Sequence, residues 1–201
     1  ISYRRSVRIF DPEKPIDTKV VKKCIEQAAL APNSSNMQLW EFYRIQSKQA
    51  KKDMARICLG QKAAQTAQEI VVFVCPKQKW KLRQQFNLDM FKNIKMSPIE
   101  QKIHYYYKQL IPKLYRNDPF GFLGLCRKLY VTFKGIKHPI YREVSYSDLR
   151  IIAHKSCALA AQTFMLSLTA EGYGSCPMEG YDSLRLKKLL QLPSKTEINM
   201  A

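Results

Sequence analysis

The sequence predicts a single domain in which α-helices are mixed with a few β-strands. Its 201 residues, 46% of them hydrophobic and 25% charged, are enough to bury one core. Strand-like runs at 40–45 and 70–74 lie between segments of helical periodicity. The longest helical stretch, 148–171, is apolar nearly all round, so we expect it to be buried, with one face packed against a second subunit.

Each shorter element has its own local signal. Asp17 can cap a first helix that runs to about residue 30 and ends before Pro32, because the residue before a proline avoids the helical conformation. Short polar side chains at 33–36 then predict a turn, and 40–45 a strand. By the same signals we predict a helix from Ser47 to Gly60, a strand buried on both faces at 70–74, and a last helix at 183–190.

The segment 77–146 is basic and aromatic. Its part from Lys77 to Arg142 holds fifteen Lys and Arg against three acidic residues, a net charge of +12 out of +18 for the chain. We predict a helical covering segment, with helices at about 80–95, 99–115 and 121–134 interrupted by Pro98, Pro112 and Pro119. Such a charge attracts anions, so one alternative is a nucleic-acid-binding or membrane-binding protein without redox activity, although no nucleic-acid recognition motif is present.

The remaining composition argues against several classes of protein. The six cysteines are widely scattered, so no zinc site or redox dithiol is expected. None of the three histidines has a partner in the sequence at the spacing of a metal site or a catalytic triad. No apolar run reaches the ~20 residues of a transmembrane span, and the first ten residues lack the apolar stretch of a secretory signal. We therefore expect a soluble, cytoplasmic protein.

Three clusters carry residues suited to ligand binding. Arg4, Arg5, Ser6 and Arg8 can clamp a phosphate, because guanidinium groups match its oxygens. The amides and hydroxyls of 33–38 can reach the edge of a polar heterocycle. Glycines within 172–182, on either side of a Pro-Met-Glu turn, let the backbone approach a flat ligand closely.

Together these clusters resemble the nitroreductase family of FMN-dependent oxidoreductases. The pattern Arg-Arg-Ser-x-Arg with Phe-Asp, then Ala-Pro-x-x-x-Asn-x-Gln-x-Trp, then Glu-Gly-Tyr-Gly-x-x-Pro-Met-Glu-Gly-Tyr-Asp occurs in this order. The likeness is strong over 1–46 and 151–193, weaker over 47–76 and essentially absent over 77–146. It implies an α+β fold for 1–201, with a central, mostly antiparallel sheet flanked by helices, and a homodimer with two FMN sites at the subunit interface.

The resemblance also implies roles for individual residues. Arg4 would reach the FMN phosphate, with Arg5 and Ser6 beside it, and Arg8 would lie near the pyrimidine edge, where a cation stabilises the reduced flavin. The backbone N–H of Glu179 would meet flavin N5. The other residues that match flavin-contacting positions are Asn33, Ser34 and Asn36 from the other subunit, Ser156 on the central helix, and Pro177, Met178 and Gly180.

The predicted function is electron transfer from NADH or NADPH to nitroaromatic, quinone or related acceptors by a ping-pong mechanism. No catalytic side chain is expected, because the flavin carries the chemistry. The same flavin cradle could serve dehalogenation, enoate reduction or flavin fragmentation instead. Two features depart from the family pattern within 33–39, Asn33 for serine and Leu39 for proline. In relatives a strand and a basic pair follow and complete the phosphate site. We expect either that the sequence is truncated before them or that phosphate binding rests on Arg4 and Arg5 alone.

Overall fold

The computed structural model describes residues 1–118 and 120–201. In chain order the elements are α1 (Thr18–Ala28), β1 (Glu41–Ile45), α2 (Lys48–Ile57), α3 (Lys62–Thr66), β2 (Ile70–Cys75), α4 (Trp80–Asp89), α5 (Pro98–Tyr105), α6 (Ile111–Tyr115), α7 (Phe122–Lys134), α8 (Tyr146–Ala170), α9 (Ser183–Leu189) and β3 (Glu197–Met200). Short 3₁₀ turns cover Ser34–Asn36 and Lys77–Lys79, and one π-helical turn covers Tyr106–Leu110.

The described strands form one antiparallel sheet of order β1-β2-β3. The central strand β2 is buried along its whole length. Its residues alternate between the two faces, as the pleat requires. Val71 and Phe73 belong to one core cluster, whereas Val72 and Val74 belong to another. The prediction of a strand covered on both faces is thereby confirmed.

Helices cover the two faces of the sheet. One cluster joins β2 to α1 and α8 through buried side chains such as Cys24, Ala160 and Phe164. The other joins it to α2, α3 and α9 through side chains such as Met54 and Leu186. Mixed helices around a small antiparallel sheet are the α+β architecture that the resemblance implied, and the fold class is confirmed.

The long helix α8 has the length and composition of a membrane span, and it is the one helix among the described residues that does. The same composition is typical of a helix in the core of a soluble protein. Cys157, Ala160 and Ala161 of α8 are each at most 1% exposed within the core cluster. A second side of α8 is open, with Ile151 and Leu159 about half exposed.

The chain divides into two compact units. Residues Ile1–Lys77 and His154–Ala201 form the first, which contains the whole sheet. Gln78–Ala153 form the second, which is helical in its described part. Within it, Trp80 stacks on Tyr115 at 5.9 Å between ring centroids. Arg127 of α7 donates hydrogen bonds to the carbonyls of Lys113, Leu114 and Arg116 and so ties α7 to the end of α6.

Several local expectations differ from the structure. Pro98 was expected to separate the helices predicted at 80–95 and 99–115, and it does so as the first residue of α5. Ser97 and Glu100 form a capping box there, and the missing N–H of proline is harmless in the first turn. Pro112 lies likewise in the first turn of α6, directly after the π-helical turn. Pro119 lies outside the described residues. The strand β3 was not predicted.

Candidate functional site

The basic N-terminal segment pairs with the segment before the Pro-Met-Glu-Gly turn. Ser6 and Ser175 form a parallel bridge, and the N–H of Val7 donates to the carbonyl oxygen of Ser175 at 3.0 Å. The N–H of Phe10 is held further on by the Thr66 hydroxyl at 2.9 Å. The first and third sequence clusters, about 170 residues apart in the chain, are therefore neighbours in the first unit.

The Pro-Met-Glu-Gly turn is fixed from two sides. Met178 exchanges two backbone hydrogen bonds with Ala201, at 2.8 and 3.1 Å. The side chain of Gln61 donates to the Gly180 carbonyl oxygen at 2.7 Å. Between these contacts, the backbone N–H of Glu179 has no acceptor within the described part of the chain. An oriented, unused donor thus stands where the sequence prediction placed the contact to the flavin ring.

The three arginines of the N-terminal segment keep their charge available. Arg5 donates to the carbonyls of Ser2 and Arg4 at 2.8 and 2.9 Å, and Arg4 lies 3.5 Å from the Ser6 hydroxyl. Arg5 and Arg8 are exposed. None of the three has a carboxylate within ion-pair distance in residues 1–118 and 120–201. Unneutralised guanidinium groups are suited to an anionic ligand.

The loop 33–38 is a separate part of the candidate site. Its backbone is left-handed at Ser35, Asn36 and Gln38, with φ of 55°, 46° and 46°. The Asn33 carboxamide oxygen accepts from the N–H of Gln38 at 2.8 Å, and Ser156 of α8 accepts from the N–H of Ser34 at 3.2 Å. Non-glycine residues in this conformation store strain, which is common at ligand sites. Asn33 and Ser156 hold the loop in shape, while the Ser34 hydroxyl makes no hydrogen bond with the described residues.

A cavity of about 390 Å³ adjoins the paired segments in the first unit. Its walls are mostly apolar and include Val7, Phe10, Phe164 and Gly174. Ser175 also lines it, and the Ser175 hydroxyl is buried without a hydrogen-bond partner among the described residues. A buried hydroxyl left unsatisfied costs free energy, so this atom is suited to a polar group of a ligand.

A second polar cluster lies where β2, β3 and α8 meet. Glu197 accepts hydrogen bonds from Lys77 and from His154, the latter at 3.0 Å, and Asn199 contacts the other ring nitrogen of His154 at 3.1 Å. Cys75 opposes Glu197 across the strand pair. The cluster connects the end of the sheet to α8.

The thiols and the imidazole of this cluster shift one another's ionisation. Hydrogen bonds from Cys157 and His154 lower the pKa of Cys75 to about 6 although burial opposes this. The pKa of His154 is raised, chiefly by its hydrogen bond with Cys75 and further by Glu197. The shared hydrogen bond and burial raise the pKa of Cys157.

Sequence reasoning missed four residues that shape the site. Gln61 and Thr66 fix the turn and the N-terminal segment, Ser175 presents the unpaired hydroxyl, and Glu197 organises the polar cluster. Single polar residues in helices and turns carry no pattern that marks them. Only Ser175 had a signal, because it stands within the cluster at 172–182.

A small antiparallel sheet packed on a long helix, with a basic segment held against a glycine-flanked turn, agrees with the α+β fold that the three motifs predicted. The family model described as Nitroreductase family matches residues 1–201, and the chain therefore belongs to the nitroreductase family. The predictions of the family and of the enzyme class are confirmed.

Individual relatives agree with this assignment. The protein DrgA of Synechocystis is 27% identical over 194 residues, which cover 96% of this chain and 76% of that protein. The putative NAD(P)H nitroreductase MhqN of Bacillus subtilis is 23% identical over 200 residues, which cover 100% of this chain and 83% of that protein. A putative nitroreductase of Exiguobacterium sibiricum, solved in complex with FMN, superposes with a TM-score of 0.65 at 19% identity, covering 98% and 81%. At 19% identity, the similarity to this last structure shows that the two chains share a fold.

Proposed function

We propose that this protein binds FMN against the paired segments 4–8 and 174–180 and reduces a small organic acceptor at the expense of NADH or NADPH. The proposal rests chiefly on one observation, the bridge between Ser6 and Ser175, which holds the arginine segment against the residues that lead into the Pro-Met-Glu-Gly turn. The buried, unpaired Ser175 hydroxyl and the arginines without carboxylate partners fit the polar and anionic groups of FMN.

The residues of the chain position the cofactor, which itself supplies the redox chemistry by accepting a hydride and then passing electrons on. Arg4 and Arg5, with Ser6, bind the phosphate. Arg8 places a positive charge near the ring, where it favours the reduced form electrostatically. The N–H of Glu179 donates to the ring and orients it. Pro177, Met178 and Gly180 shape the turn on which the ring rests.

We further propose that the active form is a homodimer, because the two halves of the site have different surroundings. The loop 33–38 is bonded to Ser156, whereas the arginine segment is bonded to Ser175. In this arrangement Asn33, Ser34 and Asn36 reach the flavin bound by the other protomer. One open face that serves donor and acceptor in turn leads to ping-pong kinetics.

The acceptor is a nitroaromatic or quinone in the first instance. Enoate reduction and dehalogenation use the same cradle and differ only in the surroundings of the open face. An acceptor screen therefore belongs to the test of the proposal.

The test is an FMN titration of the purified protein, followed by anaerobic addition of NADPH and of NADH while the flavin absorbance is recorded. We expect a stoichiometric complex that bleaches with at least one donor and recovers when a quinone or nitroaromatic is added. Arg4→Gln removes a charge-assisted contact to the phosphate and should weaken FMN binding about ten-fold.

The matched control is Arg185→Gln, which removes an exposed arginine of α9 and should leave FMN binding unchanged. If Arg4→Gln and Arg185→Gln bind FMN with the same affinity, Arg4 does not contact the FMN phosphate. A protein that binds FMN but is reduced by neither nicotinamide has a different donor, and a protein that binds no FMN refutes the proposal.

A further inference from the structure

Helix α4 of the second unit presents its apolar side outward. Gln84 donates to the Tyr107 carbonyl oxygen at 2.7 Å, and Asn87 is only 4% exposed, so polar residues face the unit. Leu82, Phe86 and Met90, spaced four residues apart, are 64%, 63% and 64% exposed. A helix on a water-facing surface normally shows the reverse pattern.

Helix α7 repeats this arrangement. Its inner side carries Val131, 6% exposed, and Arg127, which is bonded to the carbonyls at the end of α6. The outer side carries large apolar residues three or four positions apart, and Ile136 continues the row beyond the helix end. Their exposures are 65% for Phe122, 57% for Leu125, 50% for Leu129, 71% for Phe133 and 76% for Ile136.

Positive charge accompanies these two apolar rows. The second unit, 78–153, holds fifteen Lys and Arg against five Asp and Glu, a net charge of +10. On α7, Lys134 lies 5.4 Å from the ring centroid of the exposed Tyr130 and is hydrogen-bonded to its hydroxyl. An apolar face with basic and aromatic residues at its border is typical of helices that lie in the interface of an anionic bilayer.

We propose that the outward faces of α4 and α7 bind the surface of a phospholipid bilayer that contains anionic lipid. The apolar rows enter the boundary between headgroups and acyl chains, and the lysines and arginines of the unit meet the lipid phosphates. A second copy of the chain is a poorer occupant, because it would bring a unit of +10 against another of the same charge. The proposal does not depend on flavin binding.

The test is flotation of the full chain with vesicles of phosphatidylcholine and phosphatidylglycerol in equal parts, and with phosphatidylcholine vesicles alone. We expect binding to the anionic vesicles, little binding to the neutral ones, and a decrease as salt is raised, since salt screens the charge. Phe86→Glu combined with Phe133→Glu should weaken binding at least about ten-fold, because charged side chains then replace the inserted rings.

The matched control is Leu184→Glu combined with Leu30→Glu, which places the same two charges on residues of the first unit that are 79% and 84% exposed. It should bind vesicles as the wild type does, and thermal unfolding shows that each variant is folded. Three results would overturn the proposal. The first is equal vesicle binding by the wild type and the double variant, and the second is no vesicle binding by the wild type. The third is a wild-type oligomer that does not bind vesicles and becomes monomeric with the two Phe→Glu changes, which would place a second copy of the chain on these faces.

Discussion

Gly174 stands where the N-terminal segment comes closest to the glycine-flanked turn. A Cβ atom there would lie 2.7 Å from Cγ2 and 3.5 Å from Cβ of Val7. Valine is stiff at χ1, so its side chain cannot turn away without moving the backbone that bonds to Ser175. The glycine therefore permits the pairing on which the candidate site depends.

We expect Gly174→Ala to lower the free energy of unfolding by about 1–3 kcal/mol and to weaken FMN binding, because the added methyl group overpacks this contact. Urea unfolding and FMN titration measure the two effects. Gly124→Ala is the control, since a Cβ at Gly124 of α7 meets no atom within 4 Å. That change should be neutral or stabilising by about 0.5–1 kcal/mol. Equal effects of the two alanines would show that the Val7 contact is irrelevant.

The loop 33–38 also shows what a single residue decides. The turn was predicted from its short polar side chains, and a turn is present. The left-handed conformation of Asn36 and Gln38 could not be predicted, because it depends on hydrogen bonds that both residues make with Asn33 in the folded loop. The roles assigned to Asn33, Ser34 and Asn36 in flavin binding stay predictions.

At the scale of the elements, helix α8 begins with a reciprocal capping arrangement. The N–H and the hydroxyl of Ser145 donate to the Asp148 carboxylate at 3.0 and 2.6 Å, and the Ser145 hydroxyl accepts from the N–H of Asp148 at 3.2 Å. The hydrogen bond from the Ser145 side chain, with its backbone and Lys128, lowers the pKa of Asp148. The ionised carboxylate thus stabilises the first turn of the helix.

We expect Asp148→Asn to cost about 1 kcal/mol of stability at neutral pH. Because the pKa of Asp148 is depressed in the folded state, its contribution is present above the usual value of about 3.9 and is lost as pH falls through the lower folded value. The stabilities of the wild type and the variant should therefore converge as pH falls below the usual carboxyl pKa of about 3.9. Asp53→Asn, where the carboxylate accepts hydrogen bonds from the Gln49 side chain, should give a smaller gap at neutral pH.

Elements with strong local signals were predictable and others were not. The cap at Asp17, the cap at Ser47 and the buried run of β2 were each predicted and are present. The strand β3 was not, because Glu197–Met200 has little strand signal of its own and is defined by pairing with β2. The π-helical turn between α5 and α6 was not predicted from the sequence either, because it depends on how those helices pack.

At the scale of the whole molecule, the proposed dimer makes each flavin site depend on two protomers. Arg4 would come from one protomer and Asn36 from the other. Two variants that are each inactive for different reasons could then restore one another, because a mixed dimer contains one site with both residues intact.

We expect Arg4→Gln and Asn36→Ala to lose activity separately and to regain about a quarter of the wild-type rate when unfolded together in equal amounts and refolded. The readout is the rate of quinone reduction with NADPH at an FMN concentration near the Kd of the wild type, where the more weakly binding variants hold little flavin. Refolding Arg4→Gln with itself is the control and should restore nothing. Absence of recovery in the mixture would show that each protomer builds its site alone.

The sequence by itself determined the family, the enzyme class and the helices and strands whose periodicity and caps are local. Motifs of fixed spacing carry that information because the chemistry of phosphate and flavin binding demands particular residue types. Only the tertiary structure decided that Ser6 pairs with Ser175, that β3 pairs with β2 and that α4 and α7 turn apolar sides outward. Those features arise from contacts between residues far apart in the chain, and no local pattern specifies which surfaces will meet.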